Sequence, residues 1–260
     1  MVTRHGEKWT REETILAYDL YCRTPFAKIS MRNQDIVELA RILGRSSGSV
    51  GLKMANLAHY DPVLIARNVS GMSNASKLDK EVVDEFNNDW EELSYQAQLI
   101  LEKYKNKEGK PENAVLATKE IPEGRDKVSE AKRRIGQNFF RMAVLSAYDN
   151  LCCITGIGNQ ELLVASHIKP WKYSDSKTER TNPRNGLCLN ALHDKAFDRG
   201  LITLSHDYKI VVSKELSECV MDNETYSWFH SYEGKQIILP NKFLPDKNFI
   251  EYHNDVVFRG

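Results

Sequence analysis

From Trp9 to Tyr104 the apolar positions recur at helical spacing; after Cys152 they fall into short, β-branched runs separated by polar turns. Trp9 to Cys22 reads as a helix, with Thr10 and Glu13 forming a capping box and Ile15, Leu16, Tyr18 and Leu20 giving the apolar face. Met31 to Leu43 is a second helix, with Asn33 as cap, Ile36, Leu39, Ala40 and Leu43 on one face, and Gly44 as its end. Ser46 or Ser47 caps a third, which carries Val50, Leu52, Met54 and Leu57. Asp61-Pro62 closes this group, and Gly71 to Ser76 is a small polar turn. Lys77 to Lys105 keeps one apolar face from Val82 to Tyr104 and predicts a single long helix. Asn106 to Gly124 is a linker with a short strand at Ala114 to Ala117, and Lys127 to Tyr148 is a further helix.

In the last part of the chain, Glu161 to Ile168 predicts a strand that Pro170 stops. Lys172 to Arg184 is a polar loop. Gly186 to Leu189 is a second strand, and Asn190 caps a short helix, Ala191 to Phe197, that Gly200 ends. Leu201 to Leu204 and Ile210 to Val212 read as a hairpin continuing the same sheet. Gln236 to Leu239 reads as a strand and Phe249 to Asp255 as a closing helix. The result is an α+β chain in three segments: a helical module at 1–70, a long helix and linker at 71–124, and a hairpin-plus-helix domain at 125–260.

Three polar residues stand in order on that hairpin and helix: His167 near the end of the first strand, Asn185 in the returning loop and His193 on the helix. The frame around them is Ser166-His167-Ile168-Lys169-Pro170-Trp171, then Asn185-Gly186-Leu187, then His193-Asp194-Lys195-Ala196-Phe197-Asp198-Arg199-Gly200. This stretch resembles the HNH endonucleases, the ββα-metal nucleases, and most of all their restriction-enzyme-like bacterial branch. Gly136-Gln137-Asn138-Phe139-Phe140-Arg141 and Ala147-Tyr148-Asp149 through Thr155-Gly156 look like the lead-in of the same branch.

The resemblance implies hydrolysis of phosphodiester bonds in double-stranded DNA with a divalent metal ion, Mg2+ or Mn2+. A histidine with a pKa near neutrality suits the task of taking a proton from the attacking water. By resemblance, His167 is that base, His193 is the metal ligand, and Asn185 braces the loop and fixes the orientation of His167. Many members carry Asp or His immediately before the base as a second ligand, and here that position is Ser166. The nearest carboxylates are Asp194 and Asp198, one helical turn apart; Asp198 reads equally as a partner of Arg199 or of the helix end. Trp171 reads as a packing residue over the hairpin. The other five histidines, His5, His59, His206, His230 and His253, read as surface or satisfied core residues.

Positive charge around the motif comes from Lys169, Arg184, Lys195 and Arg199. The helix from Lys127 adds Arg133, Arg134 and Arg141, either a phosphate-gripping face or a solvated one. The helix, glycine turn and helix from Asn33 to Leu57 follow the helix-turn-helix pattern. They offer Arg45 and Lys53 to DNA unless the module is a plain three-helix bundle. Net charge over the 260 residues is zero, so DNA contact requires charge gathered into patches. Five cysteines, an odd number without repeated C-x-x-C pairs, argue against a disulfide scaffold and a structural zinc site, and suggest a reducing cytoplasm. No apolar run approaches a membrane span. One motif per chain, cutting of two strands and the apolar face of the long helix together suggest a homodimer. The function expected is a restriction or defence nuclease, with sensing of modified bases left open. The rival is a non-catalytic DNA-binding or scaffold protein on a degenerate HNH fold.

Overall fold

The computed structural model describes residue 4 and residues 6–66, 75–107 and 125–260. The expected strand at Ala114 to Ala117, most of the polar turn after Gly71, and His5 lie outside the described residues. The chain divides into two compact units, Met1–Ala143 and Val144–Gly260.

The first unit is helical: α1 (Arg11–Arg23), α2 (Gln34–Leu43), α3 (Ser47–Ala58), the short α4 (Pro62–Ala66), α5 (Lys77–Phe86), α6 (Trp90–Lys107) and most of α7 (Arg125–Ala147). Local chemistry sets the helix starts. Thr10 and Glu13 close a reciprocal capping box, the Asn33 side chain accepts from the amides of Asp35 and Ile36, and Ser46 accepts from that of Ser49. Gly44 ends α2 at φ +67°, a left-handed conformation that glycine adopts without strain. Every residue from Glu13 to Cys22 is buried, which puts α1 at the centre of the bundle, packed on α2, α3, α5 and α6. Tyr18, Trp90 and Phe139 make a run of aromatic contacts, with neighbouring ring centroids 6.1 Å apart.

Two expectations fail in this unit. The single helix from Lys77 is two helices, broken at Asn87-Asn88-Asp89. Asn87 terminates α5, and the Asp89 carboxylate accepts from the Glu92 amide at the start of α6. The apolar face read as a pairing surface is covered within the chain: Val82, Val83, Phe86, Trp90, Leu93 and Ala97 are all buried.

The second failure concerns Arg45 and Lys53, expected on a DNA-facing surface. Both are buried, at 5% and 6% exposure. Arg45 donates to both carboxylate oxygens of Glu13 at 3.1 and 2.9 Å and to the carbonyls of Glu7 and Lys8, and its guanidinium lies 4.4 Å from the centre of the Trp9 ring. Lys53 donates to Asp79 at 2.6 Å, and Asp79 also serves as the acidic member of the Ser76 capping box. Two cations with buried partners cannot also neutralise phosphate in this arrangement. α1 to α3 therefore look like a bundle locked by internal ion pairs, and the helix-turn-helix reading loses its contact residues.

The second unit begins in the last turn of α7. It contains β1 (Leu163–His167), β2 (Gly186–Asn190), α8 (Ala191–Asp198), β3 (Ile202–Leu204), β4 (Ile210–Val212), α9 (Lys214–Ser217), α10 (Asn223–His230) and α11 (Lys247–Tyr252). β1 and β2 pair antiparallel, with Ser166 opposite Leu187 and His167 opposite Gly186. β3 and β4 form a second two-stranded sheet and do not extend the first. α8 packs against β1, β2 and β3, so it lies against both hairpins. The expected strand at Gln236 to Leu239 reduces to one bridge between Lys209 and Gln236.

The C-terminal turn locks the end of α8. The His253 ring stacks on Phe197 at 3.8 Å, its Nε2 donates to the Phe197 carbonyl, and its Nδ1 lies 2.8 Å from the Thr203 hydroxyl, which donates to Asn254 Oδ1. Burial lowers its pKa to about 4, so it packs as a neutral ring. Gly200 sits at φ +70°, where an added Cβ would lie 2.0 Å from the Val257 carbonyl oxygen. Only glycine allows the chain to pass that close.

Burial alone would raise the pKa of the Glu13 carboxyl, but Arg45, the Thr10 amide and Arg4 outweigh it and hold it below the ordinary value. Arg45→Ala would leave this acid with Arg4 as its one remaining cation. We expect chemical denaturation to report a loss of about 3–5 kcal/mol, the usual result of breaking a buried ion pair. A loss of affinity for DNA at unchanged stability would instead restore Arg45 as a surface contact.

Candidate active site

The first strand delivers His167 to the mouth of a loop, Lys169 to Arg184, that returns to β2. The His167 ring is mostly buried. Its Nε2 lies 2.8 Å from the carbonyl oxygen of Arg180. A carbonyl can only accept, so Nε2 carries the proton and Nδ1 is the basic nitrogen of the neutral ring. Burial lowers the pKa of His167 below its ordinary value, and the Arg180 carbonyl only partly offsets this. Trp171 meets the ring edge-on at 5.5 Å, and the Arg180 guanidinium covers the Trp171 ring at 5.4 Å. Trp171 is thus the packing residue expected, with the base as one of its neighbours.

Asn185 is fully buried, at 0% exposure. Its Oδ1 accepts from the Lys169 amide at 2.8 Å, and its Nδ2 faces the Lys169 carbonyl, the Ser174 hydroxyl and the Glu179 carbonyl at 3.1 to 3.3 Å. These contacts tie the residue two places after His167 to the residue just before Arg180. Asn185 bears on His167 through the backbone: it fixes the segment whose carbonyl holds Nε2. Ser174 reinforces the loop by donating to the Lys169 carbonyl, and Lys169 pairs with Glu179 at 2.6 Å. The Lys169 charge, expected to face a phosphate, is matched inside the loop. Arg180, Ser174 and Glu179 were missed in the sequence. Two of them act through main-chain carbonyls, which leave no trace in side-chain identity.

His193 is placed otherwise than expected. Asn190, the N-cap of α8, accepts with Oδ1 from the amides of Leu192 and His193, which leaves its Nδ2 to donate to His193 Nδ1 at 2.8 Å. In the neutral ring Nε2 then carries the proton. It has no hydrogen-bond partner of ordinary geometry, although the nearby Trp228 carbonyl slightly favours the charged form. Trp228, Phe229 and Tyr232, on and just after α10, surround the ring with centroids 5.3 to 6.0 Å away. Burial drives its pKa to about 4. One nitrogen is taken by Asn190 and the other carries a proton under an aromatic cover. In this arrangement His193, expected as the metal ligand, is packed inside the domain, with Nδ1 on Asn190 and Nε2 under the aromatic cover.

The same helix carries two carboxylates, Asp194 and Asp198. Asp194 is half-buried and Asp198 exposed; the pKa of each is raised, first by desolvation, and the Asp194 charge also raises that of Asp198. Two acids that resist ionisation together are what a bound cation relieves. The Ser166 hydroxyl is buried without a hydrogen bond of ordinary geometry, yet it lies close enough to Asp194 to lower its pKa a little. The hydroxyl and the Asp194 carboxylate are both hard oxygen groups. Among the described residues no three His, Cys, Asp or Glu side chains converge on one point. Mg2+ and Mn2+ do not need them to, since such ions are often held by one or two carboxylates together with water and substrate phosphate. Ser166 and His167 are consecutive on β1, so the hydroxyl and the imidazole share one strand end.

Lys195 and Arg199 are exposed on α8, and Arg184 is half-buried in the loop. On α7, Arg133, Arg134, Gln137, Asn138 and Arg141 are exposed in one run, while Lys132 is turned aside to Glu92 and Arg134 also meets Glu130.

A short antiparallel hairpin with a histidine at the end of its first strand, backed by a helix bearing acids, has the architecture of a ββα nuclease centre. The family model described as HNH endonuclease matches residues 152–205, so this stretch, which holds both strands of the first hairpin and α8, is similar to that family. A search of curated proteins found none that matches the chain.

Asn185→Ala would leave the Lys169 amide and the Glu179 carbonyl without their partner. We expect kcat/KM for DNA cleavage to fall about 10–100-fold, as for other residues that orient a catalytic group, with circular dichroism unchanged. Because burial lowers the His167 pKa, its neutral form persists below pH 6.5. The acid limb of the kcat/KM profile should therefore lie under that value. An unchanged rate in the variant, or an acid limb above pH 7, contradicts the assignment.

Proposed function

We propose that the protein is a metal-dependent endonuclease that hydrolyses phosphodiester bonds in double-stranded DNA. The observation that carries this reading is the braced base: His167 with Nε2 held by the Arg180 carbonyl, on a loop pinned by the buried Asn185. His167 Nδ1 takes the proton from the attacking water. Asn185 and Arg180 keep the ring from turning, and Trp171 limits its exposure. Asp194 and Asp198, with the Ser166 hydroxyl, would hold a divalent ion. When bound, that ion supplies positive charge for the phosphorane and the leaving oxygen.

Lys195, Arg199 and Arg184 in this domain, with Arg133, Arg134 and Arg141 on α7, are the cations we assign to phosphate contact. Such contacts position the duplex without reading its sequence. A restriction or defence role fits a nuclease domain joined to a separate helical unit. All five cysteines are unbonded, as a reducing cytoplasm allows. No helix among the described residues is long and apolar enough to cross a membrane. Cutting both strands calls for two such sites and so for a pair of chains. With the α5 and α6 face covered internally, the pairing surface would have to lie elsewhere.

One observation favours the rival, a non-catalytic DNA-binding protein: the sealed His193 beside a serine at the position before the base. Plasmid nicking separates the two. The endonuclease reading expects cleavage with magnesium or manganese and none with chelator. It also expects Asp194→Asn combined with Asp198→Asn to lose cleavage and at least tenfold in manganese affinity by calorimetry, as loss of ligating groups does. His193→Gln should keep the metal affinity. Unchanged manganese binding in the double variant rules out the carboxylate site, and absence of nicking under every metal condition favours the rival.

A further inference from the structure

α10 and the turn after it carry an open cavity of about 440 Å³, lined by Asn223, Glu224, Ser227, Trp228, Ser231 and Tyr232. It belongs to the same unit as the candidate site. Trp228 and Tyr232 also flank His193, on the helix that bears Asp194 and Asp198. Trp228 keeps 36% of its surface exposed, an uncommon placement for a tryptophan with nothing packed over it.

The chemistry of the lining narrows the ligand. No lysine or arginine lines the cavity, and its one charged side chain is the acid Glu224. A phosphate is therefore excluded from the cavity itself. Aromatic faces ringed by hydroxyls, an amide and a carboxylate suit a flat heterocycle with exocyclic amino groups. A carboxylate accepts from the N4 amine of cytosine, and an asparagine can pair with adenine. Lys235 lies 5.8 Å from the centre of the Tyr232 ring and is a cation that a strand's phosphate could meet. The volume accommodates a base with its sugar.

We propose that this cavity is a subsite for one unpaired nucleobase, cytosine or adenine, stacked on Trp228 with its amino group facing Glu224 and Asn223. The proposal rests on the nuclease reading only for the source of that base, a strand bound at the neighbouring site. Stacking on aromatic side chains is a common way for proteins to hold single-stranded bases. A base displaced from its duplex is read through the hydrogen-bonding edge that displacement exposes.

The test uses the full chain in chelator, so that nothing is cut, and measures fluorescence anisotropy of two labelled single strands of equal length. One is all deoxycytidine and the other is abasic at every position, so the phosphate charge is the same. The cytidine strand should bind about tenfold tighter or more. Trp228→Leu should bring it to the abasic level while leaving the abasic strand unaffected. Ser227→Leu, on the exposed side of α10, fills the cavity without touching the core and should do the same, which guards against a misfolded Trp228 variant. Equal affinity for the two strands, binding of neither, or a cytidine preference that survives both variants overturns the proposal. The nuclease reading is judged separately by metal-dependent plasmid cleavage. Cleavage without the base preference removes the subsite alone, and a base preference without cleavage removes the nuclease alone.

Discussion

Everything in the candidate site depends on one buried amide. Asn185 has no exposed surface, and it is placed where only backbone groups and a serine hydroxyl can meet it. A carboxamide offers both donors and acceptors on one flat group, so it can pin an outgoing strand and a returning loop at once. A carboxylate would repel the Lys169 and Glu179 carbonyls, and an apolar side chain would leave the Lys169 amide buried and unpaired at a cost of about 1–3 kcal/mol. Held in this way, the loop presents the Arg180 carbonyl to His167 Nε2 and so decides which nitrogen of the ring is basic.

Around that amide the domain is assembled from pieces too small to stand alone. Two five-residue strands, an eight-residue helix and a separate hairpin of two three-residue strands bury little apolar surface each. They are joined by particular polar contacts. Asn190 caps α8, meets the Cys152 thiol and fixes the His193 tautomer. At the other end of the helix, His253 and the close passage at Gly200 hold its last turn. The acids on α8 are thus carried on a helix fixed at both ends.

Features governed by near neighbours were legible in the sequence. The caps Thr10, Asn33, Ser46 and Asn190 and the order of hairpin and helix depend on residues a few positions apart, and the structure places them as read. Features governed by distant partners were not. Arg45 and Lys53 have the spacing of a DNA-facing helix, but Glu13 and Asp79 take them into the core. The break at Asn87 to Asp89 interrupts an apolar periodicity that runs on across it. His193 fits the motif by position, while its aromatic cover comes from α10, whose docking on α8 nothing in the motif announces. The Arg180 carbonyl was beyond reach for another reason, since every residue has one.

The account turns on the orientation of His167, which nitrogen-15 NMR reports directly. In protein labelled at histidine, with the signal assigned by comparison with His167→Ala, long-range nitrogen–proton correlations at pH 7 distinguish the two neutral tautomers. The account requires His167 to carry its proton on Nε2, and requires that preference to weaken in Asn185→Ala. A proton on Nδ1 in the parent protein, or a ring that titrates as a solvent-exposed histidine near pH 6.5, would contradict it.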